Sequence, residues 1–507
     1  MQKIILTTLN ARYIHSSLGL RYLYANMGEL QQQTELHEFN INTRAIDIAE
    51  SLIKQRAKII GFGVYIWNIR QTTEVIQLIK CVMPDTIIVI GGPEVSYEYE
   101  HESIFSSADY LIPGQADTGF ATLCHDILNK RGPLHKVITV PDINLSNIKL
   151  PYDFYTDEDI AHRIIYVEAS RGCPFKCEFC LSALDRKVLP FELDRFLDAM
   201  QTLYNRGARH FKFVDRTFNL KTSTSLKIMS FFTDKLNDNI FLHFELIPDH
   251  LPEKLKAAIS QFPENRLQFE IGIQSFDTAV QKRISRRQDN ASTSDNILWL
   301  KEFTHAHIHA DLIVGLPGED MDLFANGFNK LVKLNPHEIQ IGILKRLKGT
   351  PIIRHTEDWD MRYNPNPPYN ILSNNLIDFN TMQRLTRFSR YWDIIANSGR
   401  FKYTLPHILN DKPFDNFMKL SDWLFEETDQ THKIALEKLF SLLHKAIINI
   451  LQLDKQKTEN HLLNDFSCSG IKGKPAFMMQ DCLKKNRKMK THQKRQQQHG
   501  STTATEQ

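Results

Sequence analysis

Arg171–Gly172–Cys173–Pro174–Phe175–Lys176–Cys177–Glu178–Phe179–Cys180 gathers three of the chain's seven cysteines into eight positions, spaced C-x-x-x-C-x-x-C. Thiolates are soft ligands that suit iron–sulfur centres and zinc. Three on one loop are one short of a closed four-ligand site, so a centre held here keeps a position open for a substrate or cofactor. The rival reading is a structural zinc loop, which needs a fourth ligand. Nothing nearby offers the paired C-x-x-C of such loops, and Cys468 and Cys482 lie far along the chain. An odd, clustered cysteine set argues against a disulfide framework and for a reducing, cytoplasmic setting.

The flanking sequence reads as a scaffold for that loop. Ile164–Ile165–Tyr166–Val167 is a strand-like run leading straight into it. Further runs at His210–Asp215, Phe241–Leu246, Leu267–Gln274, Ile308–Gly315 and Glu338–Leu344 alternate with helical patterns at Leu193–Leu203, Ser225–Leu236, Leu255–Ile259 and Asn296–Phe303. Six strand-plus-helix units are too few for an eight-fold barrel, so residues 155–360 are expected to form an open, partial (β/α)6 barrel. Chemistry in such barrels collects at the C-terminal strand ends. The polar groups placed there are Asp215–Arg216, Glu245, Glu270, Gln274–Ser275 and the turn Gly315–Leu316–Pro317–Gly318–Glu319.

Ahead of the barrel, residues 1–145 alternate strands and helices in a second series, which predicts a Rossmann-like, doubly wound parallel sheet. Its strand ends, where ligands of such sheets bind, fall at Asn10–His15, Tyr65–Asn68, Gly91–Ser96 and Gly114–Thr118. Gly91 and Gly92 let backbone approach a flat or phosphorylated ligand. No G-x-G-x-x-G follows the first strand, so a nicotinamide or flavin site is not expected. Residues 131–155, with Pro133, Pro141 and Pro151, read as a linker. Helical periodicity marks 361–455, as in Met382–Leu385–Phe388–Trp392–Ile395. Residues 456–507, basic and glutamine-rich over 484–499, read as a disordered tail.

The cysteine spacing after the first strand, with Phe179 before the third cysteine, resembles the signature of the radical S-adenosylmethionine (SAM) superfamily. That resemblance implies a [4Fe–4S] cluster on Cys173, Cys177 and Cys180, with the fourth iron binding SAM. Reductive cleavage of SAM would then give a 5′-deoxyadenosyl radical. Asp215 and Arg216 stand where the superfamily's Gly-Gly-Glu stretch meets the methionine amino group. Glu245, Gln274 and Ser275 match positions that meet the SAM ribose or carboxylate. Arg286 or Arg287 would pair with the carboxylate, and the segment around Gly315 would lie near adenine. The N-terminal region resembles the cobalamin (B12)-binding domain that precedes the barrel in many radical SAM enzymes, on Ile90–Gly91–Gly92–Pro93–Glu94 and Gly61–Phe62–Gly63. The D-x-H-x-x-G motif is missing and the usual G-E-G-E is replaced by Gly114–Gln115–Ala116–Asp117. His15 and His37 are weighed as cobalt ligands against ordinary packing roles.

The composition, 42% hydrophobic and 24% charged over 507 residues with a net charge of +3, is that of a soluble globular protein. No apolar run approaches a transmembrane length, so no membrane partner is expected. Near-neutral charge indicates no nucleic-acid partner beyond what the short basic tail offers. The leading expectation is a radical SAM enzyme, with cobalamin-dependent methyl transfer or rearrangement on an unidentified substrate. Its partners would be SAM, that substrate, and an electron donor such as a flavodoxin or ferredoxin. Two alternatives stand beside it. One is a cobalamin-independent enzyme resembling tRNA methylthiotransferases, against which only Cys81 and Cys124 lie in the N-terminal region. The other is a non-catalytic zinc-stabilised binding module.

Overall fold

The computed structural model describes residues 4–185 and 187–471. Its first layer is a parallel sheet of β1 (Ile4–Asn10), β2 (Thr34–Asn40), β3 (Ile59–Gly63), β4 (Ile87–Gly91) and β5 (Tyr110–Ile112), in spatial order β2-β1-β3-β4-β5. β1 is buried along its whole length, as a central strand covered on both faces must be. Helices α1 (Leu18–Ala25), α2 (Ala45–Lys54), α3 (Ile69–Val82), α4 (Ser103–Ser107) and α5 (Gly119–Leu128) make the crossovers. Strand order reverses between β1 and β3, so the crevice that binds ligands in such sheets opens beyond those two strands. Helix α1 stops at the Asn26 cap, and a 3₁₀ turn, Gly28–Gln33, follows from Gly28 in the left-handed region.

Helix α6 (Asp157–His162) leads into β6 (Ile165–Val167), the first strand of the second sheet. Two-residue strands β7 (Ser170–Arg171) and β8 (Leu189–Pro190) pair as a small antiparallel ribbon beyond it. The remaining strands are β9 (His210–Phe213), β10 (Phe241–Leu246), β11 (Leu267–Gln274), β12 (His307–Val314) and β13 (Glu338–Ile343). The order β13-β12-β11-β10-β9-β6, all parallel, is the expected open (β/α)6 sheet. Helices α7 (Leu193–Asn205), α8 (Thr222–Thr233), α9 (Glu253–Ile259), α10 (Thr278–Arg283), α11 (Asn290–Phe303) and α12 (Met321–Leu334) cover its outer face. Strands β11 and β12 alternate buried with half-buried residues along their length. Phe269, Ile271, Ile308 and Ala310 enter the core, while Glu270, Gly272, His309 and Asp311 fall on the other, concave face.

The N-terminal sheet docks on the barrel's first edge. Arg21, 2% exposed, donates to Glu38 at 2.9 Å and to Asp159 on α6 at 2.7 Å. A parallel bridge joins His15 to Ile164. After the barrel come a hairpin of β14 (Arg362–Tyr363) and β15 (Ile371–Ser373), then α13 (Phe379–Trp392), α14 (Thr404–Leu409), α15 (Pro413–Thr428), α16 (Leu436–Asn449) and α17 (Lys455–Cys468). The last corrects the expectation of a tail from residue 456. Asp454 caps α17, Leu462 and Phe466 bury one face at i, i+4, and Asp465 accepts from the backbone N–H groups of Tyr403 and Thr404. The basic stretch 484–499 lies outside the described residues.

Candidate active site

The ribbon of β7 and β8 pinches the base of the cysteine loop. Gly172 sits there at φ +87, and a Cβ on it would stand 2.1 Å from the Lys187 carbonyl oxygen. Only glycine fits that approach. Cys173 N–H donates to Asp185 O at 3.1 Å and Cys180 N–H to Cys177 O at 3.1 Å, folding the loop back on itself. Cys173 and Cys177 are buried and Cys180 is half-buried. All three, with Phe175 and Phe179, line a cavity of about 380 Å³ at the C-terminal ends of the barrel strands. Burial pushes the Cys173 and Cys177 thiols above their ordinary range; the neighbouring cysteines add to this, and the Arg286 guanidinium opposes it at Cys177. A cationic centre reverses that balance by holding the thiolates. The three thiols face one shared volume, and soft ligands with a position left open suit an iron–sulfur cluster.

The strand ends surround this volume with paired charges. Arg216 donates to Glu245 at 2.7 Å, while burial raises the Glu245 carboxyl against that guanidinium. Glu270 accepts from Lys212 at 3.0 Å and lies 2.9 Å from His243 Nε2; despite partial burial, these contacts lower it to about 2. Asp311 has only the His309 ring beside it, at 3.6 Å, and burial raises it to about 8 against the more distant Arg286 and Lys212. Its Oδ1 and the Gln274 Oε1 are sealed from solvent without a hydrogen-bond partner. Gln274 stands at φ +71 where the register between β11 and β12 slips, a strained bulge that re-aims the side chain into the cavity. The Arg286 guanidinium reaches the Gly272 carbonyl, Gln288 at 3.0 Å and Cys177 Sγ at 3.6 Å.

Of the sequence candidates, the cavity brings together Cys173, Cys177, Cys180, Phe179, Arg216, Glu245, Glu270, Gln274, Arg286 and Arg287. Asp215, Ser275 and Gly315 do not line it. The Asp215 carboxylate accepts from Ala169 N–H at 2.9 Å and Ser170 Oγ at 2.6 Å, fixing the loop's entrance, and burial raises it to about 7. Ser275 donates to Glu319 at 2.5 Å, and Gly315 packs under Ile371. Lys212, His243, Asp311 and Gln340 lie inside the strand runs, where the sequence alone marks no site residue. The period-2 alternation in β11 and β12 is the signal that places Glu270, Gly272 and Gln274 beside His309 and Asp311 on one face.

A larger cavity, about 720 Å³, opens at the switch point of the N-terminal sheet and runs to the back of the cysteine loop. Gly61, Gly63, Gly91 and Gly92 form part of its wall. A Cβ on Gly92 would stand 2.5 Å from Val64 O, so this wall is bare backbone. Trp67, 46% exposed, stacks on Tyr65 at 4.5 Å along the rim. No histidine lines this cavity among the described residues. His15 instead bonds the Tyr166 hydroxyl at 2.7 Å, and His37 pairs with Glu35 at 2.9 Å. Cys81 is exposed on α3 and Cys124 buried on α5. A wall of bare backbone, an aromatic rim and this volume suit a large planar cofactor.

One loop serves both cavities. Arg171, Gly172, Leu181 and Ser182 face the larger, the three cysteines face the smaller, and Arg216 borders both. Arg171 ties the domains together there. It forms two bonds of 2.9 Å to Asp117, one of 2.7 Å to Glu168, and lies 4.4 Å over the Tyr22 ring.

Comparison with known proteins agrees with this geometry. Residues 4–124 match the B12 binding domain, 167–328 match the radical SAM superfamily, and 357–507 match a family described as protein of unknown function (DUF4080). The uncharacterized methyltransferase PH0819 of Pyrococcus horikoshii is 22% identical over 358 residues, covering 66% of this chain and 76% of that protein. The cobalamin-dependent radical SAM methyltransferase TokK of Streptomyces tokunonensis is 21% identical over 337 residues, covering 56% of this chain and 47% of TokK. The chain thus matches just under half the length of that relative. The structure of the radical SAM methyltransferase TsrM from Kitasatospora setae, solved with tryptophan and a SAM analogue, shares the fold at TM-score 0.59 and 14% identity, covering 73% of this chain and 80% of that one.

Proposed function

Since the chain is a radical SAM protein with a B12-binding domain ahead of its barrel, we propose that it is a cobalamin-dependent radical SAM methyltransferase. Cys173, Cys177 and Cys180 would hold a [4Fe–4S] cluster in the smaller cavity, and the backbone wall at Gly91 and Gly92 would seat cobalamin in the larger. When bound, the cluster supplies the electron that cleaves SAM and the cobalamin supplies the methyl group.

The chain's own groups do the rest. The Arg286 fork suits the SAM carboxylate. Glu245 and the unpartnered oxygens of Gln274 and Asp311 are acceptors for an ammonium or for ribose hydroxyls. Phe175 and Phe179 line the cavity beside the thiols. Asp215, Ser275 and Gly315 serve from outside the cavity by fixing the loops that carry the others. Among the described residues no helix is long and apolar enough to cross a membrane. A small electron carrier such as a flavodoxin or ferredoxin and a reducing, cytoplasmic setting suit the cluster.

The observation that carries this reading is the single loop walling both cavities. The test is anaerobic reconstitution with iron, sulfide and hydroxocobalamin, followed by metal analysis. About four irons and one cobalt per chain are expected. Iron should be lost, with cobalt retained, when the three cysteines are replaced by alanine. Zinc in place of iron, or no retained cobalt, would overturn the reading.

A further inference from the structure

We propose that Glu178, between the second and third cysteines, is a positioning residue that fixes both the cysteine loop and the guanidinium of Arg286. The proposal rests on reading the three thiols as ligands of a SAM-binding iron–sulfur cluster. Glu178 is 2% exposed. Its carboxylate accepts from Ser285 Oγ at 2.5 Å, from His355 Nε2 at 2.8 Å, and from the Arg354 guanidinium. Its backbone is held as well: its N–H donates to Ile284 O at 3.0 Å and its carbonyl accepts from Ile352 N–H at 3.0 Å. One residue therefore joins the cysteine loop to two distant segments, the turn after α10 and the 3₁₀ segment Pro351–His355 that leads toward the C-terminal helices.

The turn after α10 explains what the joint is for. Ser285 stands at φ +56, a left-handed conformation that a non-glycine residue keeps only when its surroundings hold it. Its hydroxyl bond to Glu178 is such a hold. The next residue is Arg286, whose guanidinium reaches Cys177 Sγ and the Gly272 carbonyl inside the cavity. The strained turn aims that side chain, and Glu178 fixes the turn relative to the cysteines on either side of it. Truncating Glu178 leaves the Ser285, His355 and Arg354 donors without their acceptor and leaves the loop tied to both segments by backbone bonds alone. A buried group one step behind a ligand set acts through orientation, and its loss in metal sites typically costs about 10–100-fold in affinity or activity.

The test uses anaerobically reconstituted full-length protein and reads iron per chain, the SAM dissociation constant by equilibrium dialysis, and the change that SAM causes in the electron paramagnetic resonance (EPR) spectrum of the reduced cluster. Glu178→Ala is expected to bind SAM about 10–100-fold more weakly and to lose the SAM-induced spectral change at concentrations that saturate the wild type. Glu178→Gln, which keeps an acceptor for Ser285, is expected to recover most of both. Two variants address the turn without touching Glu178. Ser285→Gly, at ease at φ +56, should bind SAM close to wild type, and Ser285→Val, which is not, should bind as weakly as Glu178→Ala. Wild-type SAM binding and an unchanged spectral response in Glu178→Ala or Ser285→Val would overturn the proposal. So would equal losses in Glu178→Gln and Glu178→Ala. A wild-type protein that takes up no iron would instead overturn the reading of the thiols on which it stands.

Discussion

Gly172→Ala tests how the cysteine loop is held. The residue sits at φ +87, and an added Cβ would stand 2.1 Å from Lys187 O and 3.1 Å from Asp185 O, both backbone atoms that cannot swing aside. A left-handed alanine costs about 1–2 kcal/mol. Relieving the clash moves Asp185 and Lys187 away and breaks the Cys173 N–H bond to Asp185 O, worth about 1 kcal/mol. The cost of about 2–3 kcal/mol falls on the base of the loop, away from Phe179, through which the loop packs on the barrel core. That lowers the closed loop's population by about 30- to 150-fold. The assay is iron per chain after anaerobic reconstitution, with far-ultraviolet circular dichroism as the control. Iron is expected to fall below half the wild-type content while the dichroism is unchanged. Full iron with a wild-type spectrum would refute the claim that this glycine closes the site.

Three further outcomes follow from the same geometry. Arg171→Lys loses the two-bond grip on Asp117 and leaves buried Glu168 and Asp117 poorly paired. A cost approaching the about 3–5 kcal/mol of a broken buried pair is expected as a lower urea midpoint. Trp67→Ala removes the stack on Tyr65 at the rim of the larger cavity; cobalamin affinity is expected to fall about 2- to 10-fold, with iron content unchanged. Burial raises Glu319 to about 8, so its proton is held more tightly folded than unfolded; it favours the fold below its ordinary range and that contribution is lost as pH rises toward 8. Glu319→Gln should therefore flatten the fall in unfolding midpoint between pH 5 and 8, and an unchanged pH profile would contradict the assignment.

Much of the scaffold is legible in the sequence because buried parallel strands are near-continuous apolar runs, as in Ile59–Gly63 and Ile87–Gly91. The cysteine spacing is legible because it is local. What hides is side-chain direction. Asp215, Ser275 and Gly315 all lie at strand ends, yet the cavity receives none of them, while Asp311, one strand-turn deeper, reaches it. Glu178 hides for a different reason: its partners Ser285, Arg354 and His355 are more than a hundred residues away. Helix α17 hides because its polar majority masks the two apolar residues, Leu462 and Phe466, that bury it.

One loop walls both cofactor cavities, and Arg216 borders the two. The most direct measurement is the EPR spectrum of reconstituted protein poised so that both the cluster and the cobalamin are paramagnetic. Two centres in adjoining cavities are expected to broaden and split each other's signals, and the interaction should vanish in the triple alanine variant of Cys173, Cys177 and Cys180. Two unperturbed, additive signals would contradict the account.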